Sequence, residues 1–142
     1  MSTLLLDASV ILAAFDGDDA LHKPARALLG DSAVTLATLD LARYEVTNVA
    51  IRAWRVPKLV SPLLEAIERI SKDGGVLLST IALLARAAQL AEEHTLSAYD
   101  AAYVAAAAQT GGTLVSCDIR DLVAKGLART PAAPFQQTQS NL

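Results

Sequence analysis

TLLLDASVILAAF, residues 3–15, joins two periodicities at one acidic residue. Residues 3–6 form a short, unbroken apolar run, as a strand buried on both faces requires. Residues 7–15 then continue at helical spacing. Asp7 therefore stands at the carboxyl end of a strand and at the start of a helix. The same grammar returns near the end of the chain, where TLVS (residues 113–116) is followed by Cys117 and Asp118.

Between these landmarks strands and helices alternate. A second helix is expected over 20–29, with Pro24 in its first turn and Gly30 as terminator, and a second strand over 33–37. In 39–55 the residues Ala42, Val46, Val49, Ala50 and Ala53 share one helical face, until Val56-Pro57 interrupts it. Ser61 as cap and Pro62 behind it predict a helix over 61–72, stopped by Asp73-Gly74-Gly75. A strand over 76–78, a helix over 80–94, an alanine-rich helix over 97–110 and the strand over 113–116 follow. A last helix over 118–125 ends at Gly126, with an edge strand over 127–130. This order predicts a three-layer α/β/α sandwich around a central, mostly parallel sheet, with ligands gathering at the carboxyl ends of the strands. The domain should occupy 1–130 and leave 131–142, polar and Gln-rich, as a loosely held tail.

Composition agrees with one layered core. The 142 residues are 53% hydrophobic, and a mean hydropathy of +0.37 calls for strands covered by helices on both faces. A net charge of −3 and a pI near 5.2 give no global attraction to nucleic acid. Basic residues gather only locally, as Arg52, Arg55 and Lys58 around Trp54 and as Arg120, Lys125 and Arg129. Cys117 is the single cysteine, which suits a reducing cytoplasm. Asp7 interrupts the first apolar run, and no stretch has the roughly 18 apolar residues of a membrane span.

Four acids stand out: Asp7, Glu45, Asp100 and Asp118. Asp7 and Asp118 would each serve as a helix N-cap, and Asp100 follows Ser97 at capping-box spacing, so three have a structural explanation. Glu45 sits mid-helix beside an apolar stripe, where a carboxylate needs a partner, Arg43 or Arg52 for instance, or a metal. Two strand-end aspartates and two helical acids can converge on one oxygen-ligand site for Mg²⁺ or Mn²⁺. Such a site serves phosphodiester chemistry. Rival chemistries lack their signatures. His22 and His94 have no ligand companions, the Gly74-Gly75 and Gly111-Gly112 pairs are turn glycines without a phosphate-loop pattern, and Cys117 reads as a small buried residue. Tyr44, Trp54, Tyr99 and Tyr103 are too dispersed for a base-stacking platform and are expected in packing.

The segments LLLDASVILA, RYEVTNVAIR, LSAYDAAYVAAAA and LVSCDIRDL resemble, in order and spacing, the motifs of PIN-domain nucleases, and most of all the VapC toxins of type II toxin–antitoxin pairs. The likeness covers residues 3–130. It implies a PIN-like fold and a Mg²⁺- or Mn²⁺-dependent endoribonuclease that cleaves structured cellular RNA with metal-activated water. By the same resemblance Asp7 and Asp100 would contact metal directly, and Glu45 and Asp118 directly or through water. Ser9 and Ser116 would support the acids by hydrogen bonding, and Asp121 is a fifth acid or a helix cap. A homodimer and a VapB-like antitoxin are the implied partners.

Other readings predict other residues. A haloacid-dehalogenase phosphatase would carry a second aspartate where Ser9 stands, and a receiver domain an acidic pair near the first strand. A non-catalytic PIN-like module binding RNA or protein differs only in activity. Two surface expectations complete the reading: the helices over 39–55 and 61–72 form a projecting hairpin whose apolar surface centres on Trp54, and Arg43, Arg120 and Lys125 position the RNA backbone.

Overall fold

The structure is a computed structural model that describes residues 3–133. Four strands, β1 (Thr3–Leu6), β2 (Thr35–Leu39), β3 (Val76–Leu77) and β4 (Thr113–Val115), form one sheet in the order β3-β2-β1-β4. Every pairing is parallel. Central β1 buries three consecutive leucines, Leu4, Leu5 and Leu6, because a helical layer lies on each face. On one side α1 (Ala8–Ala13), α2 (His22–Leu29), α3 (Leu41–Asn48) and α4 (Val60–Lys72) pack together, with α4 against β2 and β3. On the other, α5 (Ile81–His94) packs against α6 (Ala98–Thr110), which lies on β1, β2 and β4. The buried Ala101, Ala102, Ala105, Ala106 and Ala107 let α6 sit close to the sheet. The expected three-layer sandwich is the observed one.

From β1 the chain steps outward to β2 and β3, then returns to place β4 on the far side of β1. The connections from β1 and β4 thus leave their carboxyl ends in opposite directions, which opens the crevice where such sheets bind ligands. Asp7 follows β1 and Asp118 follows β4 closely, so both aspartates reach it.

The Gly111-Gly112 pair makes β4 possible in two ways. Gly111 caps α6 in the left-handed region at φ 67°. A Cβ on Gly112 would lie 2.2 Å from the Thr3 carbonyl oxygen, so only glycine lets the chain enter beside β1.

Several boundaries differ from the sequence reading. Strand β2 runs two residues later than 33–37, since its buried positions are Leu36 to Leu39. The helix expected over 39–55 is α3 followed by a π-helical turn, Val49–Ala53. There the Thr47 hydroxyl donates to the Arg43 carbonyl oxygen at 2.7 Å, a local bond that bends helices. Arg55 then ends the turn at φ 56°. Ser61 is no cap: Pro57–Leu59 forms a short 3₁₀ turn and α4 starts at Val60. The last helix shrinks to one π-helical turn, Ile119–Val123, and the edge strand to a single bridge between Val115 and Arg129. Most of the expected tail, 134–142, lies outside the described residues. No helix among those described is long and apolar enough to cross a membrane.

Candidate metal centre

Asp7 is 5% exposed and caps α1. Its Oδ1 accepts the Ser9 N–H at 3.1 Å and the Ser9 hydroxyl at 2.5 Å. Its Oδ2 accepts the Ser116 hydroxyl at 2.5 Å. Each serine works twice, because Ser9 Oγ also accepts the Cys117 N–H at 2.9 Å and Ser116 Oγ the Asp118 N–H at 3.0 Å. One buried carboxylate thereby ties the end of β1 to the loop that carries Asp118. Burial pushes the Asp7 carboxyl up to about 6; the Ser116 and Ser9 hydroxyls pull it partly back, and Glu45 raises it further.

On the opposite wall Ser97 caps α6 by accepting the Asp100 N–H at 3.0 Å. Only this half of a capping box exists: the Asp100 carboxylate makes no hydrogen bond among the described residues and faces Asp118 and Asp121 instead. Asp118 in turn caps the π-helical turn, its Oδ1 accepting the Asp121 N–H at 3.0 Å. One carboxylate oxygen from each of Asp100, Asp118 and Asp121 lies within 4.8 Å of the others. Burial raises the Asp100 pKa first, and the charges of Asp118 and Asp121 add to it, while Lys125 opposes them.

Glu45 projects from α3, half-buried, and Tyr103 Oη donates to its Oε1 at 2.6 Å. No arginine pairs with it among the described residues. Burial raises its pKa, Tyr103 lowers it, and Asp100 raises it again. Charge effects link Asp7 with Glu45, Glu45 with Asp100, and Asp100 with Asp118 and Asp121. The tight triad contains Asp121, which the sequence left undecided, and does not contain Asp7 or Glu45.

The sequence missed Tyr103, the phenol that holds Glu45. Its spacing was the available signal, since Asp100 and Tyr103 are three apart on α6 and share a face. It also missed Asp40, a third strand-end aspartate hidden by the misplaced end of β2. That carboxylate is occupied by the Ser79 N–H at 2.9 Å and the Ser79 hydroxyl at 2.5 Å. Cys117, expected as a small buried residue, is only partly buried against the core, and desolvation still pushes its thiol pKa up to about 12. The exposed Lys125 ties down the end of α5, its ammonium donating to the His94 and Thr95 carbonyl oxygens at 2.7 and 3.1 Å.

Fold and site together define an α/β domain that collects carboxylates at the switch point of a parallel sheet. The PIN domain family matches residues 4–126, and the chain belongs to that family. Ribonuclease VapC3 of Pyrobaculum aerophilum is 37% identical over 119 residues, which are 81% of this chain and 88% of the relative. Among solved structures, a toxin–antitoxin complex from Klebsiella pneumoniae superposes with a TM-score of 0.67 at 18% identity, covering 90% of this chain and 97% of the other. The Mycobacterium tuberculosis toxin VapC20, described as cleaving the sarcin–ricin loop, gives 0.65 at 21% identity, covering 80% and 86%.

Proposed function

We propose that this chain is a divalent-metal-dependent endoribonuclease and the toxin of a toxin–antitoxin pair. One observation carries the reading: oxygens of Asp100, Asp118 and Asp121 within 4.8 Å of one another at the crevice between β1 and β4. Hard oxygen donors at that spacing suit Mg²⁺ or Mn²⁺, and their charges repel one another until a cation joins them. The name of the VapC3 relative supports ribonuclease chemistry, and the Klebsiella complex supports an antitoxin partner.

Asp100, Asp118 and Asp121 would hold the cation, with Asp7 and Glu45 completing the acidic wall. When bound, the cation neutralises the carboxylates and stabilises the charge that develops on the phosphate. The chain's own residues set the geometry. Asp7 orders Ser9 and Ser116, Ser116 fixes the backbone of Asp118, and Tyr103 aims Glu45. Arg120, paired with Asp121 at 3.3 Å on an exposed side chain, is free to turn towards substrate phosphate.

The partner surface lies away from Trp54, which is half-buried against the core. An apolar groove formed by Tyr44, Ile51 and Leu64 and edged by Arg43 and Arg52 takes its place on the helical hairpin. A homodimer and an antitoxin are the two occupants we propose for it.

The deciding experiment incubates purified protein with total RNA, with Mg²⁺, with Mn²⁺ and with chelator. Cleavage that requires the cation and disappears in Asp100→Asn is the expected result. An intact, folded protein that binds RNA without cutting it would identify a binding module instead.

A further inference from the structure

The acidic triad is assembled from two separate stretches of chain. Asp100 lies in the first turn of α6, whereas Asp118 caps the π-helical turn that contains Asp121. Carboxylates within 4.8 Å of one another repel, so groups other than the acids must hold the two stretches together until a cation arrives. Among the described residues, the hydrogen bonds that join residues 94–100 to residues 118–126 come from one side chain. They are the two that Lys125 Nζ donates, to the His94 carbonyl oxygen at 2.7 Å and to that of Thr95 at 3.1 Å.

Both ends of this tie are fixed. Behind Lys125, the Leu127 N–H donates to the carbonyl oxygen of buried Leu122 at 3.0 Å, which fastens the lysine's backbone to the π-helical turn. Ahead of it, the accepting carbonyls are those that a helix end leaves without partners, where a cation is favoured. The Thr95 and Leu96 N–H groups both return to the Ala91 carbonyl oxygen. Only Leu96 then separates Thr95 from Ser97, whose hydroxyl accepts the Asp100 N–H. The ammonium is also felt at Asp100 itself: burial, Asp118 and Asp121 raise the pKa of that carboxyl, and the Lys125 charge opposes them.

We propose that Lys125 is a positioning residue that ties the end of α5 to the turn after β4, and so sets Asp100 opposite Asp118 and Asp121 before a cation binds. The inference rests on the metal-site reading and deepens it, since it names what arranges the ligands in the metal-free protein.

The test compares the full chain with Lys125→Met, which keeps the aliphatic stem, and Lys125→Arg, which keeps the charge and the donors. Lys125 is exposed, so both variants keep the core. Free Mn²⁺ is followed by electron paramagnetic resonance in a titration without RNA. Removing a positive charge by itself would tighten cation binding. Removing the tie should weaken it: Lys125→Met should raise the Mn²⁺ Kd about tenfold, equivalent to about 1.4 kcal/mol, and Lys125→Arg should bind as wild type does. In chelator, amide hydrogen exchange over residues 94–100 and 118–123 should be faster in Lys125→Met than in the other two proteins, and saturating Mn²⁺ should remove the difference. Unchanged or tighter Mn²⁺ binding by Lys125→Met, a Lys125→Arg protein as weak as Lys125→Met, or a defect confined to RNA affinity would overturn the proposal. A wild type that binds no Mn²⁺ would instead count against the metal-site reading, and the exchange measured in chelator would still judge the tie.

Discussion

Two strand ends in this molecule use the same local device to different effect. After β1, Asp7 accepts the backbone and hydroxyl of Ser9; after β2, Asp40 accepts the backbone and hydroxyl of Ser79. Among the described residues Asp40 is not part of the acidic group, and its bonds to Ser79 fasten the chain between β3 and α5 to the end of β2. Asp7 lies at the switch point, and through Ser116 it is tied to the backbone of Asp118, whose carboxylate meets those of Asp100 and Asp121. An aspartate behind a strand is therefore not a site in itself. It becomes part of one where the topology parts the connections and other acids converge.

The largest expected contrast is in activity. Asp100→Asn should lower metal-dependent cleavage by on the order of 10²–10³, the usual cost of removing a preorganised electrostatic group. Asp40→Asn should leave cleavage within about twofold of wild type, as a residue outside transition-state contact does. Comparable losses from the two variants, measured as kcat/KM on one RNA, would erase the distinction between the strand ends.

A second contrast is in pH dependence without metal. The folded Asp7 carboxyl is raised from 3.8 to about 6, so the native state binds the extra proton. The stability this contributes is fully present below 3.8 and lost as pH rises through about 6. Its size is about 3 kcal/mol at 1.36 kcal/mol per pKa unit. Asp7→Asn should flatten the wild-type decline in melting temperature over that interval when chelator is present. An unchanged slope would mean that burial does not govern Asp7.

Smaller effects should separate anchoring from chemistry. Asp40→Ala removes two hydrogen bonds to a charged acceptor and should cost about 2 kcal/mol in chemical denaturation, with cleavage by the folded fraction preserved. Tyr103→Phe keeps the buried ring and removes the donor to Glu45. It should reduce cleavage roughly 10-fold, as loss of a group that orients a site carboxylate does. Its denaturation midpoint should move less than that of Asp40→Ala, because Glu45 can still turn to water. A Tyr103→Phe enzyme with full activity would show that Glu45 needs no holding.

Much of this was readable in the chain because it is local. Unbroken apolar runs gave β1 and β4, helical periodicity gave the layers, and the alternation of the two gave a parallel sheet. Local chemistry also located the ends of β1 and β4, and with them Asp7 and Asp118. The β2 boundary was not legible, since residues 33–39 are apolar or small throughout and only pairing with β1 and β3 fixes the register. Asp40 was lost with it. Which acids meet was also beyond the sequence. Asp100 and Asp121 are far apart in the chain, and their carboxylates converge because the close packing of alanine-rich α6 sets its first turn opposite the turn after β4. The role of Tyr103 depends on a contact with Glu45 across two helical layers, and a strand-by-strand reading contains no such contact. Sequence determined which residues could serve a cation, through residue type and local position. Tertiary structure decided which of them face one another, because charge and hydrogen bonding act through space.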